Sequence, residues 1–100
     1  MSQEVFSIAI YEPLPGMERQ SLETVRALID ALAKGGYSRD TLFRDSGPSG
    51  EFVLLRYWKS EEARRAAQED PETLRCWAKL SQEIRTVRIF ESLEEALGRS

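Results

Sequence analysis

The chain has 100 residues, with 14 Lys and Arg against 17 Asp and Glu and a formal net charge of −3. That length suits one core, so residues 1–100 are predicted to form a single domain. The charges are interspersed and form no basic face, which argues against a nucleic-acid partner, and no apolar run approaches the ~20 residues of a membrane span.

Residue types that usually mark metal sites and disulfides are nearly absent. The sequence has no histidine and a single cysteine, Cys76, so we expect no structural zinc site, no haem ligand and no bridge within the chain. The N-terminus lacks a basic region followed by an apolar one, so no signal peptide is predicted. A reduced, cytoplasmic setting and no cofactor are the expectations that follow.

The first half of the chain reads as a strand followed by a helix. Residues 5–11 alternate in polarity as a strand does, and Glu12-Pro13-Leu14-Pro15-Gly16 ends it because prolines cannot sit in a central strand. Apolar residues at three- and four-residue steps predict a helix over 17–34, with Gly35-Gly36 as its C-terminal stop.

The second half repeats this order after a hairpin. Ser60 and Asp70-Pro71 are helix-start signals, the second of which restarts the helix. The predicted elements are a strand over 37–45, a turn over 46–50, a strand over 52–58, a helix from 60 restarted at 70 and ending near 84, a strand over 85–91, and a short helix or tail over 92–98.

The order strand, helix, strand, strand, helix, strand predicts an α+β, ferredoxin-like βαββαβ sandwich with both helices on one face of the sheet. The strand over 52–58 is apolar on both faces, so we expect a second copy of the chain to cover the face that the helices leave open. The residues assigned to the helix face are Phe6, Ile8, Ile10, Val53, Leu55, Tyr57, Val87 and Ile89. The residues assigned to the opposite face, for the second copy to cover, are Val5, Ser7, Ala9, Tyr11, Phe52, Leu54, Arg56, Trp58, Thr86, Arg88 and Phe90.

Two stretches resemble a known superfamily. The turn at 12–16 and the segment Phe52-Val53-Leu54-Leu55-Arg56-Tyr57-Trp58-Lys59-Ser60-Glu61-Glu62-Ala63 are similar to the dimeric α+β barrel proteins, and more narrowly to the antibiotic biosynthesis monooxygenase (ABM) domains. The resemblance implies a homodimer whose sheets face each other, with a cavity between sheet and helices. It also implies cofactor-independent oxygen chemistry on phenolic or quinol-like substrates; the haem-degrading branch needs an axial histidine, which this chain lacks.

Carried over by position, the resemblance implies a set of site residues. Trp58 matches the cavity tryptophan of the active members, and the asparagine that they carry four residues earlier falls at Leu54. Arg88 would be the polar cavity residue that holds a substrate anion, and Tyr11 would relay a proton. Predicted catalytic residues are therefore Trp58, Arg88 and Tyr11, and predicted ligand-binding residues are Arg56, Phe52, Leu54 and Phe90.

The expected ligand is a small, flat aromatic molecule, anionic because guanidinium groups in an apolar wall favour a carboxylate or phenolate. The same residues also have simpler interpretations: Trp58 and Trp77 as packing groups, and Arg56 and Arg88 as partners in ion pairs across a dimer.

Three classes of function share the predicted order of strands and helices. An RNA-binding module is excluded because Pro48-Ser49-Gly50-Glu51 precede Phe52-Val53 where such modules carry basic and aromatic residues. An ABM-type oxygenase and a non-catalytic ligand-binding or structural homodimer both remain.

Overall fold

The computed structural model describes residues 5–97, and its four strands form a single antiparallel sheet in the order β2-β3-β1-β4. The elements in this part of the chain are β1 (Val5–Pro13), α1 (Glu18–Lys34), β2 (Ser38–Arg44), β3 (Phe52–Trp58), α2 (Glu61–Ala67), α3 (Pro71–Leu80) and β4 (Ile84–Leu93). The predicted ferredoxin-like α+β fold is confirmed.

Both predicted helix starts in the second half are present. The Ser60 hydroxyl accepts a hydrogen bond from the Ala63 backbone N–H at 3.0 Å, which caps α2. The Asp70 carboxylate accepts one from the Glu72 N–H at 2.9 Å, and Pro71 opens α3. These side-chain caps satisfy N–H groups that have no partner inside a helix, which is why the signals can be read locally.

The C-terminal boundaries differ from the prediction. Helix α3 ends at Leu80 rather than near residue 84, because Ile84 already pairs with Pro13 at the start of β4. Of the helix or tail predicted over 92–98, the helix is absent over 92–97: Leu93 closes β4 opposite Phe6, and residues 94–97 are not helical. Gly98, the last residue of that prediction, lies outside the described residues.

The assignment of the sheet faces to helices and partner is wrong for the two inner strands, β1 and β3. Tyr11, Phe52, Leu54 and Trp58 lie beneath the helices and form the core. Their helical partners are Val25, Leu28, Leu32, Ala67 and Leu80. Because side chains alternate along a strand, Phe6, Ile8, Ile10, Val53, Leu55 and Tyr57 lie on the other side, which we call the open face.

One local feature explains that reversal, and another explains why β4 does not share it beyond Val87. Arg56 makes its face look solvent-exposed in the sequence, but it is paired with Asp40, directly across β2 and β3, and both side chains are largely buried. In β4 a register shift between the partners of Ile10 and Tyr11 leaves Val87 as an extra residue. The shift places Arg88 opposite Ile10, on the open face.

The junction between α1 and β2 packs tightly around Gly35. A Cβ on Gly35 would lie 2.3 Å from the ring of Tyr37, and the Tyr37 hydroxyl donates a hydrogen bond to Asp70 at 2.8 Å. This hydrogen bond lowers the pKa of Asp70 and raises that of Tyr37. The ring therefore connects the end of α1 to the first turn of α3.

Gly35→Ala is expected to lower the thermal midpoint, because the new methyl group must displace the Tyr37 ring and weaken its bond to Asp70. In a Tyr37→Ala background the same glycine substitution should cost much less, since the clashing ring is gone. Thermal unfolding of the two single variants and the double variant measures the coupling. An equal loss in both backgrounds would show that the contact with Tyr37 is not what excludes a side chain at position 35.

Candidate functional site

A cavity of about 320 Å³ lies between the helix-covered side of the sheet and the helices. That volume is at the lower end of the range for small-molecule sites. Its apolar wall consists of Ala9, Leu28, Leu54, Trp58, Trp77, Leu80, Ile84 and Ile89. Ile89 on β4 remains 54 % exposed. The lining of the cavity is thus mainly aromatic and aliphatic.

Arg56 is the principal polar group in this wall, and it is held on three sides. Its Nε donates to Asp40 Oδ2 at 2.6 Å, and Ser38 Oγ donates to Asp40 Oδ1 at 2.8 Å. Its guanidinium carbon lies 5.2 Å from the Trp58 ring centroid and 5.9 Å from that of Trp77. The buried Nη2 has no hydrogen-bond partner among residues 5–97. Asp40 and the two rings thus fix the guanidinium, while the two N–H donors of Nη2 remain unpaired.

Tyr11 supplies a second polar group from β1. Its ring stacks on Phe52 with centroids 5.5 Å apart, and its hydroxyl, also buried, has no hydrogen-bond partner within the described part of the chain. Burial raises the pKa of Tyr11 to about 12. The hydroxyl therefore keeps its proton at neutral pH and acts as a hydrogen-bond donor rather than as a base.

Because the pKa of Tyr11 is raised from 10.0 to about 12, the native state holds this proton more tightly than the unfolded chain does. The resulting stabilisation is complete below pH 10 and is lost as pH rises to about 12. We expect the wild type to lose stability over this range more steeply than Tyr11→Phe. Because the pKa of Tyr37 is also raised, the comparison is made without it: ultraviolet titration should show a late tyrosine step in Tyr37→Phe but not in the Tyr11→Phe, Tyr37→Phe double variant. A late step that survives in the double variant would contradict the assignment.

Charged side chains also line the cavity. Arg64, on α2, places Nη2 at 3.5 Å from Glu91 Oε1 on β4 and Nη1 at 3.1 Å from Glu61 Oε2. Ser7 Oγ donates to the backbone oxygen of Glu91 at 2.7 Å. Arg64 and Glu91 thus give an otherwise mainly apolar lining one charged part.

The structure brings together four of the seven site residues predicted from the sequence. Tyr11, Leu54, Arg56 and Trp58 all line the cavity. Phe52 is buried behind Tyr11 and stacks on it rather than lining the cavity.

Arg88 and Phe90 are not part of this group, which corrects their predicted position beside Trp58. They pair with Ile10 and Ile8 on the open face, and the Arg88 guanidinium carbon lies 5.2 Å from the Phe90 ring centroid. The extra residue at Val87 is the cause, because it shifts the alternation of β4 by one position.

Sequence reasoning missed Asp40 and Arg64 and treated Trp77 only as a packing residue. Asp40 could have been found: counted outwards from Pro48 in the predicted hairpin turn, Asp40 and Arg56 are equidistant, and opposite charges facing across a hairpin predict a pair. Arg64 gave no comparable signal, because its reach towards Glu91 depends on where α2 packs.

No group of three or more His, Cys, Asp or Glu side chains within residues 5–97 is arranged to hold a metal ion. None of the helices in that range is long and apolar enough to cross a membrane.

No family model matches the sequence, and no curated protein matches it. Solved structures do resemble it. SnoaB from Streptomyces nogalater, described as a cofactor-independent oxygenase, superposes with a TM-score of 0.78 at 18% identity over 95% of this chain and 98% of that one. PA3566 from Pseudomonas aeruginosa has a TM-score of 0.78 at 22% identity over 96% and 98% of the two chains.

A third structure carries the family's own description. A protein from Chloroflexus aurantiacus, described as a candidate antibiotic biosynthesis monooxygenase, has a TM-score of 0.77 at 13% identity over 97% of both chains. Identities this low establish a likeness of fold. The chain accordingly has the fold of the antibiotic biosynthesis monooxygenase-like proteins, as the resemblance in its sequence indicated.

Proposed function

We propose that this protein is an ABM-type, cofactor-independent monooxygenase that acts on a small quinol- or phenol-like aromatic molecule in the cavity beside Trp58. The observation that carries the proposal is the combination of an aromatic wall with two buried donors, Arg56 Nη2 and the Tyr11 hydroxyl, that lack partners among the described residues. The description of SnoaB as a cofactor-independent oxygenase supports the reaction type.

In this proposal each group has a simple task. Trp58 and Trp77 contact the flat aromatic ring of the substrate, and Arg56 Nη2 donates a hydrogen bond to an oxygen substituent on that ring. Tyr11 donates to a second acceptor. Without a cofactor the substrate itself must supply electrons to dioxygen, so negative charge that develops on its oxygen needs fixed donors nearby. Arg88 has no part in this scheme, because it lies on the other side of the sheet.

A second candidate is ligand binding without chemistry, and Leu54 favours it. Leu54 lines the cavity at the position where the resemblance places the asparagine of active members. Its side chain cannot donate a hydrogen bond to a substrate anion or a peroxide intermediate. The two candidates share the cavity and differ only in whether dioxygen is consumed.

Oxygen uptake with a panel of quinols and phenols separates them. We expect the wild type to consume dioxygen faster than the uncatalysed autoxidation of at least one compound, and Arg56→Met to lower the rate ~100-fold through the loss of one fixed donor. Trp58→Phe should weaken binding. Arg88→Gln on the open face is the matched control and should retain the rate. Wild-type uptake no faster than autoxidation, with the compounds bound, would favour binding without chemistry.

We propose further that the protein works as a homodimer in the cytoplasm, with the open faces of two copies in contact. The open face bears large apolar side chains, among them Phe43 and Phe90, which stay exposed in the isolated chain. Its half-buried members are Phe6, Ile8, Ile10, Val53, Leu55 and Tyr57. An apolar surface of this kind is typical of a protein interface, and a stable one needs about 800 Å² from each partner.

A further inference from the structure

The charge on Arg56 is balanced inside the wall of the cavity, by Asp40. We propose that Asp40 makes the site selective for uncharged ligands, so that it takes an aromatic molecule bearing a carbonyl or phenol oxygen in preference to the matching carboxylate. This inference rests on the proposed ligand-binding role of the cavity, and it replaces the anionic ligand that the sequence alone suggested with a neutral one.

The ion pair between Arg56 and Asp40 is buried. The side chains of Arg56 and Asp40 are 12% and 0% exposed, and Nε and Oδ2 are 2.6 Å apart. Each charge therefore meets its counter-charge at contact distance, in surroundings where water screens little. An incoming carboxylate would be attracted by Arg56 and repelled by Asp40 directly behind it, yet it would lose all of its own hydration.

The other charged groups around the cavity also balance one another. Arg64 is the other cation in the lining, and it lies beside two carboxylates, Glu91 and Glu61. The two arginines, Arg56 and Arg64, are thus paired with three carboxylates, those of Asp40, Glu61 and Glu91. The charged groups in and directly around the lining hold no excess of positive charge that would draw in an anion.

Two buried donors at the site remain for a ligand to pair with. Arg56 Nη2 and the Tyr11 hydroxyl are buried donors without partners in residues 5–97, and leaving such groups unpaired is costly. A neutral carbonyl oxygen satisfies a donor without bringing a charge. Tyr11 lies opposite Phe52, four residues from Arg56 along β3, so the two donors come from backbone positions roughly 13 Å apart.

A matched pair of probes tests the selectivity: 2-acetylnaphthalene, which is neutral, and 2-naphthoate, which has the same rings and is ionised at neutral pH. The chain has two tryptophans, Trp58 and Trp77, and both line the cavity, so quenching of their fluorescence reports occupancy. We expect the wild type to bind the ketone at least ~10-fold more tightly than the carboxylate, and Asp40→Asn to reduce that ratio ~10-fold or more by strengthening carboxylate binding.

Two further variants complete the design. Asp45→Asn removes an exposed aspartate of the β2–β3 turn and should leave the ratio unchanged. The double variant Asp40→Asn, Arg56→Gln removes both charges and should restore the preference for the ketone, because no unbalanced guanidinium remains. If Asp40→Asn alone fails to fold, the wild-type ratio still tests the inference.

Equal affinity of the wild type for both probes, or a ratio unchanged by Asp40→Asn, would overturn the inference while leaving the cavity a ligand site. Failure of both probes to quench Trp58 and Trp77 would overturn both the inference and the proposed function.

Discussion

Leu55→Asp is expected to convert the protein from a dimer, with twice the chain mass of 11.4 kDa, into a folded monomer. Leu55 lies in the middle of β3, on the open face, opposite Ile8. A carboxylate there would have to be buried against apolar side chains of the second copy, at a cost of several kcal/mol. Light scattering at micromolar concentration measures the mass, and circular dichroism checks that the monomer is folded.

Two other leucines provide the controls. Leu74→Asp alters an exposed leucine of α3, away from the sheet, and should leave the dimer intact. Leu54→Asp, one residue from Leu55, alters the core beneath the helices and should unfold the chain. The sequence had assigned Leu54 and Trp58 to the dimer face; their burial now predicts loss of the fold instead. A wild-type monomer, or a Leu55→Asp dimer, would contradict the proposed interface.

Asp40→Leu is expected to destabilise the protein by about 3–5 kcal/mol, because it leaves the Arg56 guanidinium without its counter-charge inside the wall of the cavity. Arg56→Met should be destabilising in the same way by stranding Asp40. The double variant should recover most of the loss, since two apolar side chains of similar volume replace the pair. Urea unfolding of the four proteins gives the coupling energy.

The ion pair of Arg85 with Glu12 is the matched comparison. It also joins neighbouring strands, with Nη2 and Oε1 2.6 Å apart, but its side chains are 60% and 34% exposed. The same cycle at this pair should yield less than ~1 kcal/mol. Coupling energies of equal size at the two pairs would show that burial does not govern the strength of the pair between Asp40 and Arg56.

The order of elements was predictable because its signals are local. Ser60 and Asp70 cap helices by hydrogen bonds within three residues, and the pattern of α1 places Val25, Leu28 and Leu32 on one side. Local signals in the sequence could not predict which face of the sheet the helices cover. Both faces of β3 are apolar, and the deciding fact, that Arg56 is neutralised by Asp40, needs the register between two strands.

The candidate site was predictable to the same extent. Tyr11, Leu54, Arg56 and Trp58 were placed together because alternation along β1 and β3 holds without interruption. Arg88 was misplaced because a single extra residue in β4 reverses the faces, and no residue type near Val87 signals it.

The side chains of Trp77 and Arg64 reach the cavity from α3 and α2. Their contribution depends on how these helices rotate against the sheet, which periodicity within a helix does not determine.

A ligand is expected to bind in the helix-side cavity and not on the open face. A crystal structure of the protein with 2-acetylnaphthalene tests it most directly. We expect the rings against Trp58 and Trp77, with the ketone oxygen within hydrogen-bond distance, about 3 Å, of Arg56 Nη2. A ligand bound instead beside Arg88 and Phe90 on the open face, or a cavity that stays empty at saturating ligand, would contradict the account.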